Sequence, residues 1–312
     1  MISPLKGRSL LTLVDFNTSE IRYLLDLAHE VKRERKAGQI RQRFIGKTLA
    51  LIFEKPSTRT RCAFETAFAE EGGHPTYLAK SDIQLGFKET VEDTARVLGR
   101  MFSAIQFRGF KQDTVETLAK YSGVPVYNGL TDIYHPTQVL ADLMTMEESW
   151  GTLEGRKLVY AGDGRNNMAN SLLVGCARMG VNLTICAPQS LFPEQSILSM
   201  SRELAQETGA QLVTTDQFLP ALKGADALYT DVWASMGEED KLADRVALLS
   251  PYQINEKALV ATGNPECIFL HCLPAVRDNE VSAQVFEGSQ SRVWDQAENR
   301  KHTIKALMLA TI

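Results

Sequence analysis

The sequence predicts an α/β protein with two doubly wound domains, each a mostly parallel sheet flanked by helices. Short apolar runs typical of buried strands alternate along the chain with helical patterns of about 10 to 15 residues. The alternation pauses at a short linker, WGTLEG at 150–155, and then starts again. A length of 312 residues also predicts about two domains. Strands that alternate with helices form parallel sheets covered on both faces, so we expect one such sheet on each side of the linker.

The first predicted domain covers residues 1–149. It begins with a helical stripe at 19–37, which we expect Thr18 or Ser19 to cap, because a hydroxyl side chain just before an apolar stripe is a helix start signal. The buried strand TLALIF comes next. The remaining elements, in chain order, are a helix at 57–71, a strand at 104–109, a helix at 113–122, a strand at 124–129 and a helix at 135–149.

The second predicted domain covers residues 150–295 and repeats the alternation. Its strands are predicted at 156–162, 182–188, 211–215, 227–233 and 267–274. Its helices are predicted at 167–179 and near 194–208, and a final helix follows at 296–311. In open sheets of this class, ligands bind beyond the carboxyl ends of the strands, so the candidate functional residues are those that directly follow a strand.

Composition and charge exclude several classes of protein. With 44% hydrophobic and 23% charged residues the chain is an ordinary globular one, and a net charge of −4 offers no basic surplus to bind nucleic acid or an anionic membrane. No apolar stretch approaches the ~20 residues that span a bilayer, and residues 1–16 lack the pattern of a signal peptide. The five cysteines show no CxxC spacing, which favours reduced thiols over disulfides or a zinc site. We therefore expect a cytoplasmic protein.

The segment STRTR, residues 57–61, combines three hydroxyls and two arginines where the strand TLALIF gives way to a helix. The start of a helix carries unpaired backbone N–H groups and a partial positive charge, which favour a bound anion. Hydroxyls and a guanidinium add donors suited to phosphate. The alternative interpretation is a serine helix cap followed by arginines on a solvated face. We expect Arg61 to follow this alternative, in a structural ion pair.

Three other strand ends carry polar side chains. Arg108 follows AIQF, His135 and Gln138 lie at the start of the helix at 135–149, and HCLP (271–274) follows CIFL. Each has a structural alternative when it is taken singly: a satisfied buried histidine, a core cysteine, or a Leu-Pro turn. Arg108 places a further cation at the sheet edge that carries STRTR, and all three segments lie at strand ends, where open sheets of this class bind ligands.

Together these segments resemble the signature motifs of the aspartate/ornithine carbamoyltransferase superfamily. The motifs are STRTR (57–61), HPTQ (135–138), TDVWASMGEE (230–239), HCLPA (271–275) and AENR (297–300). STRTR and HPTQ are similar in the aspartate and the ornithine enzymes. TDVWASMGEE and HCLPA resemble the ornithine branch, since aspartate enzymes carry basic residues and HPLPR at these places. The resemblance extends from about residue 13 to the last helix, which is nearly the whole chain.

The resemblance implies a reaction and an assembly. In this family the side-chain amine of ornithine attacks the carbonyl of carbamoyl phosphate and gives citrulline and phosphate through a tetrahedral intermediate, with no metal or other cofactor. It also implies small-molecule substrates, and a homotrimer or a multiple of trimers with shared active sites. The C-terminal helix, about 296–312, is expected to return to the first domain. The motifs do not distinguish an enzyme of arginine synthesis from one of arginine breakdown.

The resemblance further implies the roles of individual residues. The expected carbamoyl phosphate ligands are Ser57, Thr58, Arg59, Thr60, Arg108, His135, Gln138, Cys272, Leu273 and Arg300, with Gln84 reaching the site of a neighbouring subunit. The expected ornithine ligands are Asn167, Asp231, Ser235 and Met236. The expected catalytic residues, which stabilise the oxyanion or orient the reacting groups, are Arg108, His135, Gln138, Asp231 and Cys272. The structural alternatives are that Asn167 only caps a helix and that Ser235 and Met236 form a loop tip.

Three rival functions fit part of the pattern. Gly162 and Gly164 have the first spacing of a dinucleotide-binding turn, but Asn167 replaces the third glycine and the next strand ends without an acidic residue, so a nicotinamide dehydrogenase is not expected. A non-catalytic phosphate-binding protein explains the arginines and hydroxyls but not the polar residues at the other strand ends. A carbamoyltransferase for a related amine such as putrescine shares the carbamoyl phosphate half of the pattern.

Overall fold

The computed structural model describes residues 3–39, 41–81, 83, 88–234 and 242–312. The chain divides into two compact units, Met1–Met144 with Glu298–Ile312, and Thr145–Ala297. Each unit contains one parallel sheet with helices packed on it, which confirms the predicted fold class. Among the described residues, no helix is long and apolar enough to cross a membrane.

The sheet of the first unit has the strand order β2-β1-β3-β4, and all neighbours are parallel. Its strands are β1 (Thr48–Phe53), β2 (His74–Ala79), β3 (Ala104–Arg108) and β4 (Val126–Leu130). The helices that begin in this unit are α1 (Thr18–Lys36), α2 (Thr58–Ala69), α3 (Val91–Met101), α4 (Gln112–Ser122) and α5 (Pro136–Trp150). One face of the sheet packs on α3 and α4 through an apolar cluster that includes Ile105 and Phe107. On the other face, Tyr127 of β4 stacks on Phe64 of α2.

The sheet of the second unit has the order β7-β6-β5-β8-β9 and is also parallel. Its strands are β5 (Lys157–Ala161), β6 (Asn182–Cys186), β7 (Leu212–Thr215), β8 (Ala227–Thr230) and β9 (Ile268–His271). The remaining helices are α6 (Asn167–Met179), α7 (Gln195–Ala205), α8 (Phe218–Leu222), α9 (Leu242–Leu249), α10 (Glu256–Thr262), α11 (Ala283–Phe286) and α12 (Val293–Thr311).

In both sheets the chain first winds outward in one direction and then returns to continue in the other. The first strand of each sheet, β1 or β5, therefore has a neighbour on each side. The connections diverge above such a strand, and this topological switch point is where open α/β sheets bind ligands. In the first unit the switch lies between β1 and β3, and in the second between β5 and β8.

The structure differs from the sequence prediction at the cap of α1 and in elements that were not predicted, including β2 and α3. The cap of α1 is Asn17 instead of Thr18 or Ser19: its side chain accepts from the N–H of Glu20, and the Glu20 carboxylate accepts from the N–H of Asn17. An asparagine caps a helix as well as a hydroxyl does, and the reciprocal bond selects it. Strand β2 was missed, because HPTYLA lies at the sheet edge, half-exposed, and lacks an apolar run.

The C-terminal part of α12 is tied to the helices of the first unit by charged side chains. Lys301 and Lys305 donate to the carboxylate of Glu70 at the end of α2, at 2.6 and 2.9 Å. The buried Lys32 of α1 donates to Asn299 at 2.7 Å. These contacts fix the part of the helix that carries Arg300.

Candidate active site

The start of α2 has the geometry of an anion site. Ser57 is the N-cap, and its hydroxyl oxygen accepts from the N–H of Thr60 at 3.2 Å. Thr58 is the first helical residue and is exposed, whereas Arg59 is half-buried. Arg61 pairs with Glu65 at 2.9 Å and lies over the ring of Tyr77, so it takes the structural role predicted for it.

The hydroxyl of Thr60 is the meeting point of two buried arginines. Arg108, at the end of β3, donates to it from Nη1 at 3.1 Å, and Arg300 of α12 donates from Nη2 at 2.8 Å. Thr60 is fully buried, and the exposed fractions of Arg108 and Arg300 are 8% and 2%. Two guanidinium groups thus converge on one uncharged oxygen. A buried concentration of positive charge with forked N–H donors suits a phosphate or a developing oxyanion.

His135 is held in its neutral form at this site. It lies just before α5, with 4% of its surface exposed, and its carbonyl accepts from the N–H of Gln138 at 3.1 Å. Burial, followed by the positive charges of Arg300, Arg108 and Arg59, lowers the pKa of His135 well below its ordinary range. A neutral imidazole can still donate one N–H to a carbonyl oxygen.

Gln138 presents a buried acceptor. Its Nε2 donates to Asp142 at 2.8 Å, and the side chain is 1% exposed. Its Oε1 has no hydrogen-bond partner among the described residues. Because a buried carbonyl oxygen normally has a donor, this atom is suited to accept from an N–H group of a ligand.

The low pKa of His135 predicts a dependence of stability on pH. The unfolded chain takes up a proton near the ordinary histidine pKa of ~6.5, whereas the folded protein resists protonation to lower pH. This contribution to stability is therefore complete above pH ~6.5 and decreases as the pH falls, by at most ~1.4 kcal/mol per pH unit. We expect urea unfolding between pH 7.5 and 5 to show a steeper loss in the parent than in His135→Gln.

The buried His302, whose pKa is also lowered by burial, is present in both proteins and so cancels from this comparison. Equal slopes of unfolding free energy against pH would contradict a neutral His135.

In the second unit, Asp231 and Cys272 follow the adjacent strands β8 and β9 and are in contact. The Cys272 thiol donates to Oδ1 of Asp231 at 2.9 Å, and the N–H of Val232 donates to the same oxygen at 2.8 Å. Asp231 is 9% exposed, and burial raises the pKa of its carboxyl. A carboxylate of this kind gains from a cationic partner such as an ammonium group.

Asn166 is a candidate site residue that the sequence analysis missed. Its Oδ1 accepts from the N–H of Ala169, so Asn166 and not Asn167 caps α6. Its Nδ2 donates to the hydroxyl of Tyr160 at 2.8 Å and to Oδ2 of Asp231 at 3.4 Å. The capping alternative for Asn167 is therefore wrong. The paired asparagines after a strand and a Gly-Asp-Gly turn were the available signal.

The HCLP segment is a turn held by a buried His–Glu pair. His271 accepts from the N–H of Leu273 through Nδ1 at 2.9 Å, so Nε2 carries the proton and donates to Glu280 at 3.1 Å. The same Glu280 oxygen accepts from the N–H of Val276 at 2.6 Å. Leu273 has a φ of 61°, and its peptide bond to Pro274 is cis. His271 and Glu280 thus fix the backbone that presents Cys272 and Leu273.

Asp231, His271 and Cys272 also form a possible metal-ligand group within the described residues, since one ligand atom of each lies within 4.8 Å of the others. Both ring nitrogens of His271 are already used by the turn and by Glu280. A metal would have to displace one of these bonds. The chemistry of the group therefore favours a hydrogen-bonded turn.

The structure brings the predicted residues together in two groups, one in each unit. Thr60, Arg108 and Arg300 are in direct contact in the first unit, and Arg59 acts on His135 through its charge. Asp231 and Cys272 are in contact in the second. The predicted residues Gln84, Ser235 and Met236 lie outside the described residues.

Comparison with known proteins identifies this pair of units. A family model described as the aspartate/ornithine carbamoyltransferase carbamoyl-P binding domain matches residues 8–148, and one described as the Asp/Orn binding domain matches residues 154–311. The chain belongs to the aspartate/ornithine carbamoyltransferase family. The family resemblance of the sequence motifs is therefore confirmed.

Individual carbamoyltransferases are similar over nearly the whole chain. An ornithine carbamoyltransferase of Caldanaerobacter subterraneus is 66% identical over 99% of this chain and 98% of its own length. A protein of Bacillus licheniformis named ornithine carbamoyltransferase, catabolic, is 56% identical over 99% and 97%. The solved ornithine carbamoyltransferase of Pyrococcus furiosus is 44% identical and superposes with a TM-score of 0.96, over 100% of this chain and 98% of that one.

Proposed function

We propose that this chain transfers the carbamoyl group of carbamoyl phosphate to the side-chain amine of L-ornithine and releases L-citrulline and phosphate. The observation that carries the proposal is the convergence of the buried Arg108 and Arg300 on Thr60. Burial and the charges of the same two arginines lower the pKa of His135. Family membership and the ornithine carbamoyltransferases at 54–66% identity support the same reaction. The reaction belongs to arginine metabolism.

In this proposal the first unit binds the phosphate and the carbonyl group. Arg59 and backbone N–H groups at the start of α2 hold the phosphate oxygens, with Ser57, Thr58 and Thr60 as further donors. Arg108 and neutral His135 donate to the carbonyl oxygen as it becomes an oxyanion. The Oε1 atom of Gln138, which is buried and has no donor among the described residues, accepts from the carbamoyl NH₂. Each of these groups binds the substrate without a change in its own charge.

The second unit is proposed to bind the amino acid. The Asp231 carboxylate pairs with the α-ammonium group of ornithine, while Asn167 and its neighbour Asn166 supply amide contacts at the start of α6. Cys272, which donates to Asp231, orients the attacking amine. The neutral amine then attacks the carbonyl carbon, a C–N bond forms, and the C–O bond to phosphate breaks with its electron pair on the phosphate. The proton lost by nitrogen leaves with phosphate or solvent.

We further propose a homotrimer, or a multiple of trimers, in which Gln84 serves the site of a neighbouring subunit. We also propose a cytoplasmic location. All five cysteines are free thiols, which fits a reducing compartment.

The decisive experiment is to mix the purified protein with carbamoyl phosphate and ornithine and to measure citrulline. We expect turnover with ornithine and little with N-acetylornithine, lysine or aspartate. Tight binding of phosphate or carbamoyl phosphate without any carbamoylated product would favour the alternative of a non-catalytic binding protein.

The proposal also predicts how the rate depends on pH. An alkyl amine has a pKa near ~10.4, so at pH 7 only a trace of ornithine carries the neutral nucleophile. At subsaturating ornithine and saturating carbamoyl phosphate, the initial rate should rise from pH 7 to 8.5, by up to about tenfold per unit. A flat profile over this interval would rule out attack by the free amine as the controlling step.

A further inference from the structure

Gln106 is a buried amide without a hydrogen bond to any described residue. It lies in the middle of β3 and is 0% exposed. Neither its Oε1 nor its Nε2 has a hydrogen-bond partner in the part of the chain that the structure describes. The large majority of buried side-chain polar atoms in folded proteins are hydrogen-bonded, and an exception calls for an explanation, of which a functional role is one.

The position of Gln106 connects it to the candidate site. Side chains alternate along a strand, so Gln106 shares a face with Arg108, opposite the apolar cluster that contains Ile105 and Phe107. A Cβ atom on Gly129 would lie 2.4 Å from Nε2 of Gln106 and 3.1 Å from the methyl carbon of Thr60. The amide therefore lies close to Thr60, in space that only a glycine at position 129 leaves open.

The hydrogen bonds of Thr60 explain what the amide can do. In this structure the Thr60 oxygen accepts from both Arg108 and Arg300. A phosphate oxygen is a stronger acceptor for a guanidinium than a neutral hydroxyl is. A bound phosphate would draw these N–H groups away, and the Thr60 oxygen would lose the donors that set its orientation.

We propose that Gln106 is a positioning residue for Thr60. When the arginines turn to the phosphate, the Gln106 amide donates to the Thr60 oxygen and directs the hydroxyl proton toward the ligand. The inference rests on the proposed carbamoyl transfer, in which Thr60 donates to the phosphate. It assigns a role to a residue that contacts no substrate and that lies outside the sequence motifs of the family.

The test is Gln106→Met, which keeps the volume and removes both polar atoms. Loss of one neutral hydrogen bond predicts a roughly tenfold fall in kcat/KM for carbamoyl phosphate. The midpoint of thermal unfolding should stay the same or rise, because the substitution removes a buried amide that has no hydrogen bond to any described residue. The matched control is Ser201→Ala on α7 of the second unit, where a fully buried hydroxyl also has no described partner. We expect Ser201→Ala to keep or raise the midpoint of thermal unfolding and to leave kcat/KM unchanged.

A double-mutant cycle separates positioning through Thr60 from a structural effect. In a Thr60→Val background the further change Gln106→Met should lower kcat/KM for carbamoyl phosphate by less than about twofold, because the hydroxyl that Gln106 positions is absent. Additive losses, or a Gln106→Met enzyme within twofold of the parent, would overturn the proposal. If Gln106→Met does not fold, Gln106→Leu repeats the cycle.

Calorimetric binding of inorganic phosphate gives a readout that does not depend on turnover. The variant should bind phosphate more weakly than the parent, and equal affinities would count against the proposal. A parent protein that makes no citrulline would contradict the proposed function. An active parent whose kcat/KM is unchanged by Gln106→Met would contradict this inference alone.

Discussion

Replacing Arg59 with glutamine is expected to lower kcat/KM for carbamoyl phosphate by about a thousandfold or more while the fold survives. Arg59 lies in the first turn of α2, and its positive charge contributes to the low pKa of His135. A charge-assisted contact that strengthens as negative charge develops is worth about 3–4 kcal/mol in the transition state, and each 1.36 kcal/mol is about tenfold in rate. The measurement is initial-rate citrulline formation with carbamoyl phosphate as the varied substrate.

Arg61→Gln is the matched control, because it removes the same charge from the same helix turn. Arg61 pairs with Glu65 on the surface, and an exposed pair of this kind contributes little to stability. We expect Arg61→Gln to keep activity within a few-fold of the parent and both variants to unfold cooperatively near the parent's midpoint. Turnover of Arg59→Gln within a factor of ten of the parent would show that Arg59 does not hold the phosphate.

The contrast between Arg59 and Arg61 shows which parts of the site were predictable from the sequence. A strand, a helix start and a run of hydrogen-bond donors are local patterns, and β1 and the start of α2 lie where these patterns predict. The residues after β3, β4, β8 and β9 were also predictable, since parallel topology brings strand ends to one edge of a sheet. Local periodicity and sheet topology together therefore account for Arg108, His135, Asp231 and Cys272 as candidates.

Contacts between distant parts of the chain were not predictable in this way. Arg300 meets Thr60 across 240 positions, and only the family resemblance placed it at the site. Glu280 lies nine positions beyond His271, and no periodicity marks it as the partner that fixes the tautomer. Gln106 looks from the sequence like an ordinary strand residue. Its proposed role depends on the absence of a hydrogen bond to any described residue, which only three-dimensional packing reveals.

Ornithine is expected to be preferred over putrescine by about 10⁴-fold or more in kcat/KM. Putrescine has the same reacting amine at one end but lacks the α-carboxylate. The protein groups that bind this carboxylate therefore have no partner in putrescine. Sites built around a polar group of the substrate reject analogues that lack it by about 10⁴–10⁵-fold. The measurement is carbamoylated product from each diamine at saturating carbamoyl phosphate.

Asp231→Asn tests the proposed contact to the α-ammonium group, which ornithine and putrescine share. Asp231 is buried and holds the Cys272 thiol, so the isosteric amide keeps the shape and removes the charge that pairs with this ammonium. We expect the variant to lose most of its activity with both acceptors, and the preference for ornithine to remain because it depends on the α-carboxylate. Asp216→Asn is the matched control. Asp216 directly follows the edge strand β7, and its carboxylate accepts hydrogen bonds from Gln189 and Gln217. Comparable kcat/KM for the two acceptors in the parent would instead indicate a putrescine carbamoyltransferase, and would leave the assignment of the carbamoyl phosphate residues standing.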